Sequence, residues 1–125
     1  YVERYQGIAP PTPRGEEFCD PATKTHINDD PAEYYKYAHA FLIKYQLHLH
    51  LARQLGQDPR QTDFYGRPEV GRFLLRVMQA GATQDWRTLI REATGEELSA
   101  RPMLDYYAPV AEFLRRENAG HPVGW

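Results

Sequence analysis

The chain has 125 residues, the length of one ordinary domain, so separate catalytic and substrate domains are not expected within it. Fifteen Lys and Arg against seventeen Asp and Glu leave a formal charge of −2 and a pI near 6.2, without the positive field on which nucleic-acid binding relies. Hydrophobic residues at 42% and charged residues at 26% are close to globular averages, and apolar runs such as Phe41-Leu42-Ile43 fall far short of a membrane span.

Residues 1–30 read as a Pro-rich extended connector, because Pro10-Pro11-Thr12-Pro13 can neither continue a helix nor sit centrally in a sheet. The single cysteine, Cys19, has no partner for an internal disulfide and no activating base near it in sequence. The start at Tyr1 has neither an initiator Met nor a signal-peptide pattern, which suggests truncation and leaves the compartment unknown.

From residue 31 to 119 the pattern is helical. Asp30-Pro31-Ala32-Glu33 has the composition of a capping box, with Asp as N-cap, Pro at the first helical position and Glu three residues after the cap. Tyr34, Tyr37, Ala38, Phe41, Tyr45, Leu49 and Ala52 then recur at three- and four-residue spacing until Gly56, which predicts a helix of about 25 residues, roughly 37 Å long. Three shorter helices follow. One runs from Pro68 to Ala80 with Val70, Phe73, Leu74 and Val77 on one face, and one from Asp85 to Thr94 with Trp86, Leu89, Ile90 and Ala93 inward. The last opens at Ser99, carries Met103, Leu104, Tyr107, Ala111 and Leu114 on one stripe, and is expected to bend at Pro109. The fold class is all-α.

Chemistry is sparse. The histidines at 26, 39, 48, 50 and 121 form no HExxH pair, and no metal site is predicted in this chain. His48 and His50 lie two apart on a helix and diverge by about 200°, as surface or packed histidines do. Gly-rich phosphate loops and a GxSxG elbow are absent. One cluster stands out: an extended Lys24-Thr25-His26 puts Lys24 and His26 on one face, beside a helix presenting Tyr34, Tyr37 and Phe41. Such a set can hold a carboxylate with Lys24 and Tyr34 and donate to a developing oxyanion from His26 or Tyr37. A Tyr and Phe stripe at helical spacing is, on its own, more often core.

The strings Tyr5-Gln6-Gly7-Ile8-Ala9-Pro10-Pro11-Thr12-Pro13-Arg14, Lys24-Thr25-His26-Ile27, Tyr34-Tyr35-Lys36-Tyr37, Gln46-Leu47-His48, Asp63-Phe64-Tyr65, Met103-Leu104-Asp105-Tyr106-Tyr107 and Glu117-Asn118, with the closing Gly124-Trp125, resemble the C-terminal region of the peptidyl-dipeptidase A family, the relatives of angiotensin-converting enzyme. The resemblance runs through essentially the whole chain. It implies a zinc metallopeptidase that removes dipeptides from peptides with a free C-terminus, built as a helical fold of two lobes around a deep cleft. It also implies that the zinc ligands lie upstream of the matched region, that these residues pack against the remainder of the peptidase domain, and that they are inactive alone.

Position by position, the resemblance gives Lys24 and Tyr34 the substrate's terminal carboxylate, His26 the substrate backbone, Tyr37 the tetrahedral intermediate and Phe41 a pocket wall. Lys36 stands where the animal enzymes place a chloride-binding arginine, so chloride is a possible ligand, though a point ammonium lacks the planar fork. One extra residue between His26 and Tyr34 remodels the loop before the helix. Thr25 replaces an aromatic, and Ala52 with Thr62 takes the place of a disulfide pair. A periplasmic or secreted location would follow from resemblance alone. The competing expectation is a self-standing, non-catalytic helical module that keeps the peptide grip; it requires a closed core, whereas a piece of a larger cleft leaves apolar stripes unpartnered.

Overall fold

The structure, a computed structural model, describes residues 2–9, 11–18, 24–30 and 32–121. Pro10, Cys19, Pro31 and the Gly124-Trp125 end, which figure in the sequence reading, lie outside the described residues. The described chain is all-α: α1 (Val2–Gln6), α2 (Thr25–Asn28), α3 (Lys36–Gln54), α4 (Pro68–Gln79), α5 (Trp86–Thr94) and α6 (Arg101–Glu117), with a 3-10 turn at Glu16–Phe18 and no strand among the described residues.

The described part of the first thirty residues is less extended than the prolines suggest. The Lys24 carbonyl accepts from the amides of Ile27, at 2.9 Å, and Asn28, at 3.2 Å, which closes α2 into a single helical turn. His26 is therefore carried on a helix, and strand alternation does not place it with Lys24, whose own backbone stays extended at φ −85° and ψ 116°.

The long helix begins five residues later than the capping pattern predicts. Ala32 has φ +61°, a left-handed conformation that a right-handed helix cannot pass through. The amides of Glu33, Lys36 and Tyr37 reach back three residues to Asp30, Glu33 and Tyr34, so tight turns lead into α3 and Tyr35 becomes its N-cap. The Glu33 carboxylate is bonded to the Lys36 ammonium instead of closing a capping box. At the other end Gly56, at φ +64°, supplies the expected left-handed stop.

The shorter helices follow their sequence signals more closely. Pro68 opens α4 and an extended Arg67 caps it. The Asp85 carboxylate caps α5 by accepting from the amides of Arg87, at 3.0 Å, and Thr88, at 3.2 Å. Ser99 does not cap α6; its amide donates to Gln46 Oε1 at 3.2 Å, and the helix starts at Arg101, runs through Pro109 and ends at Glu117.

α3 is the axis of the assembly, with α6 and α5 packed on it and α4 packed on α5. Leu51, Val70 and Phe73 form the buried cluster, with Leu47, Leu55, Phe64, Val77 and Ala93 against it. Buried Gln46 ties α3 to the segment after α5: its Nε2 donates to Thr94 Oγ1 and to the Glu96 carbonyl, each at 3.0 Å.

The core is small. Of the predicted inward stripes, Tyr45, Ala52, Val70, Phe73 and Ile90 are buried, whereas Tyr34, Tyr37, Phe41, Leu104, Tyr107 and Leu114 stay exposed. The chain exposes 10314 Å²; a compact monomer of its mass exposes only about 6,900 Å². The stripes on the first half of α3 and on α6 therefore have no complete partner among the described residues.

Candidate functional site

The one-turn helix α2 brings His26 against the tyrosines that lead into α3. The imidazole meets Tyr34 edge-on, with ring centroids 5.3 Å apart and planes at 69°. Tyr37 lies 5.4 Å from both other rings, and its phenol oxygen is 2.6 Å from His26 Nε2. On the far side of the imidazole, Thr25 Oγ1 lies 3.3 Å from Nδ1. Three rings thus fix one another in a triangle, with two polar contacts setting the hydrogen-bond roles of the imidazole.

An open pocket of about 300 Å³ lies over this triangle, lined by His26, Asp30, Glu33, Tyr34, Lys36, Tyr37 and Ala40. Of the residues singled out from sequence, His26, Tyr34 and Tyr37 come together here and Lys36 joins them. Lys24 is exposed and is not part of the lining. Phe41, one turn further along α3, is also outside the lining and carries the Lys44 ammonium 4.3 Å above its ring.

Electrostatically the pocket is mixed. The Glu33 carboxylate bonds the Lys36 ammonium, and this contact, with the nearby charges of Glu33 and Asp30, raises the Lys36 pKa above its ordinary value. An anion such as chloride would have to compete with that carboxylate for Lys36. The capping pattern assigns Asp30 and Glu33 to the backbone and so hides both as pocket residues; the i,i+3 spacing of Glu33 and Lys36 is the signal for their pairing.

A second aromatic group sits at mid-height on α3. Tyr45 packs on Tyr106 and Tyr107 of α6, and its hydroxyl is hydrogen-bonded to that of Tyr107. His48 packs against Phe64 and Tyr106, with Nε2 2.5 Å from the Pro59 carbonyl. His50, on another face, stacks on Phe73 at 5.0 Å. Both are packing histidines. Among the described residues no group of three or more His, Cys, Asp or Glu side chains could hold a metal ion, so the donor set does not fit zinc. No helix among them is long and apolar enough to cross a membrane.

The described residues thus form an all-helical wall with an open pocket lined by an imidazole and two phenols. Residues 1–125 match the family model described as angiotensin-converting enzyme, and the chain belongs to that family. It is 34% identical to angiotensin-converting enzyme of Sus scrofa over 127 residues, covering 98% of this chain and 10% of that protein. It is 35% identical to the enzyme of Mesocricetus auratus over the same length and shares, and 34% identical to an angiotensin-converting enzyme-related protein of Drosophila melanogaster over 132 residues, 97% of this chain and 21% of that one. The chain spans about a tenth of the length of the mammalian relatives it matches.

Proposed function

We propose that these residues form one wall of the substrate cleft of a peptidyl-dipeptidase, a zinc-dependent hydrolase that releases dipeptides from peptides with a free C-terminus. The observation that carries this reading is the His26, Tyr34 and Tyr37 triangle at the mouth of an open pocket, in a chain matched along its whole length by the angiotensin-converting enzyme family. The metal's ligands belong to the rest of the peptidase, and the remaining chemistry is that of the side chains present here.

Attack on a peptide carbonyl makes a tetrahedral centre whose oxygen gathers negative charge. A phenol held in place donates a hydrogen bond to that oxygen as the charge grows, with little reorganisation, which is the role proposed for Tyr37. His26, whose Nε2 lies 2.6 Å from the phenol oxygen, would have to turn its single N–H from that oxygen to the substrate backbone, while Tyr34 and Lys24 take the terminal carboxylate. An extended chain advances about 3.3–3.6 Å per residue, so an ammonium roughly 7 Å from the reacting carbonyl selects the second peptide bond from the end. The extensive exposed apolar surface on α3 and α6 supports a piece that packs against further structure over a closed, self-standing binding module.

The test is Tyr37→Phe in the full-length protein that contains these residues. Loss of the oxyanion donor is expected to lower kcat by about 10²–10³ with KM and metal content near those of the wild type. Wild-type turnover in that variant removes Tyr37 from the mechanism.

A further inference from the structure

We infer that the pocket over the three rings selects a cationic side chain on the last residue of the peptide, with Asp30 as the residue that sets this preference. The inference rests on the reading of these residues as a wall of the substrate cleft, and it deepens that reading by naming the class of peptide the wall takes.

The pocket combines an aromatic wall with an uneven charge. His26, Tyr34 and Tyr37 supply three mutually packed rings, with centroids 5.3 to 5.4 Å apart. The charged part of the lining comes from Asp30, Glu33 and Lys36. Glu33 and Lys36 are bonded to each other, so their charges cancel. Asp30 has no ion-pair partner among the described residues, and its charge acts on Lys36 only through space. With His26 neutral, one negative charge is left over on the wall. Rings beside an unpaired carboxylate suit a guanidinium, which pairs with the carboxylate and lies against an aromatic ring at the same time. A neutral side chain of the same length would take Asp30 out of water without replacing what it loses.

The place of that side chain follows from the cleft reading. With the terminal carboxylate at Tyr34 and the reacting carbonyl at Tyr37, the last residue of the peptide lies against the pocket that both tyrosines line. Its volume of about 300 Å³ leaves room for an arginine side chain. Asp30 can be changed without disturbing the wall, because its side chain is exposed and its turn is held by the backbone, whose carbonyl accepts the Glu33 amide at 3.3 Å.

The experiment is titration calorimetry of the full-length holoenzyme with two product dipeptides, alanyl-arginine and alanyl-citrulline. Citrulline keeps the length and shape of arginine and lacks its charge, and a dipeptide is already the end product, so binding is read without turnover. The arginine dipeptide is expected to bind about tenfold more tightly, the joint worth of one exposed ion pair and one cation–π contact. Asp30→Asn should bring that ratio down to about threefold or less. Lys36→Gln, which releases Glu33, should raise it above the wild-type value. A wild-type ratio below about twofold, or an Asp30→Asn ratio equal to that of the wild type, overturns the selection. Failure of the cleft reading, which would remove the inference with it, shows instead as no binding of either dipeptide.

Discussion

At the scale of single residues, Tyr45 shows how one contact sets a titration. Its hydroxyl is bonded to that of Tyr107, and this hydrogen bond, followed by burial and by the charges that Tyr107 and Tyr106 would acquire, pushes its pKa up to about 12. The folded chain then keeps a proton that the unfolded chain releases near 10. The stabilisation is full below pH 10 and is lost as pH rises towards 12. Tyrosinate absorbance should show a late-titrating phenol that Tyr107→Phe moves back towards 10; no movement in that variant rejects the pairing. Lys24 invites a different measurement. If its ammonium holds the substrate carboxylate, Lys24→Ala should raise KM for free-acid peptides about 10–100-fold and leave amidated peptides little changed. Equal losses on both reject Lys24 as the group that holds the substrate carboxylate. Asp30 and Glu33 sharpen this test, since the Lys36 ammonium in the same pocket wall is already engaged by the Glu33 carboxylate and Asp30 adds a second negative charge there.

Among elements, the ends of helices are where local sequence signals held or failed. Asp85 caps α5 with two amides in reach, a local arrangement of residues two and three apart, so it needed no tertiary help. Asp85→Ala should cost about 1 kcal/mol in thermal unfolding, with Asp85→Asn near neutral. The Asp30 to Glu33 pattern failed because both carboxylates found other surroundings and Ala32 turned left-handed. Gln46 is the opposite kind of case: nothing local marks it as structural, yet its amide meets Thr94, Glu96 and Ser99. Gln46→Ala removes the acceptor of the Ser99 amide and one of two donors to the Glu96 carbonyl, which Thr94 Oγ1 also reaches at 3.2 Å, and should cost about 1–3 kcal/mol, more than a surface change on the same helix. A change below about 1 kcal/mol in a urea titration would show that water replaces those bonds.

For the molecule as a whole, the balance of buried and exposed apolar surface decides behaviour in isolation. The buried cluster of Leu51, Val70 and Phe73 is modest beside the exposed Tyr37, Phe41, Leu75, Met78, Leu104 and Phe113. The 125 residues expressed alone should bind a hydrophobic dye and melt broadly, without the sharp transition of a closed domain. A sharp, dye-free transition would favour the self-standing binding module. The same imbalance bears on the pocket, whose opening lies beside the exposed first half of α3, where further structure would complete its walls.

Sequence by itself determined the all-α class, the position of the helix that opens at Asp85, the left-handed stop at Gly56 and the family, because each is written in residues close along the chain or in matched strings. It also brought His26, Tyr34 and Tyr37 forward as a group, although it expected an extended strand where a helical turn delivers the imidazole. Tertiary structure alone decided which stripes were buried, that Lys24 and Phe41 stand outside the pocket, and that Gln46 ties α3 to the segment after α5. The physical reason is range: a cap or a glycine stop is settled within a few residues, whereas burial and pairing depend on which distant surfaces meet, and periodicity marks a face without naming its partner.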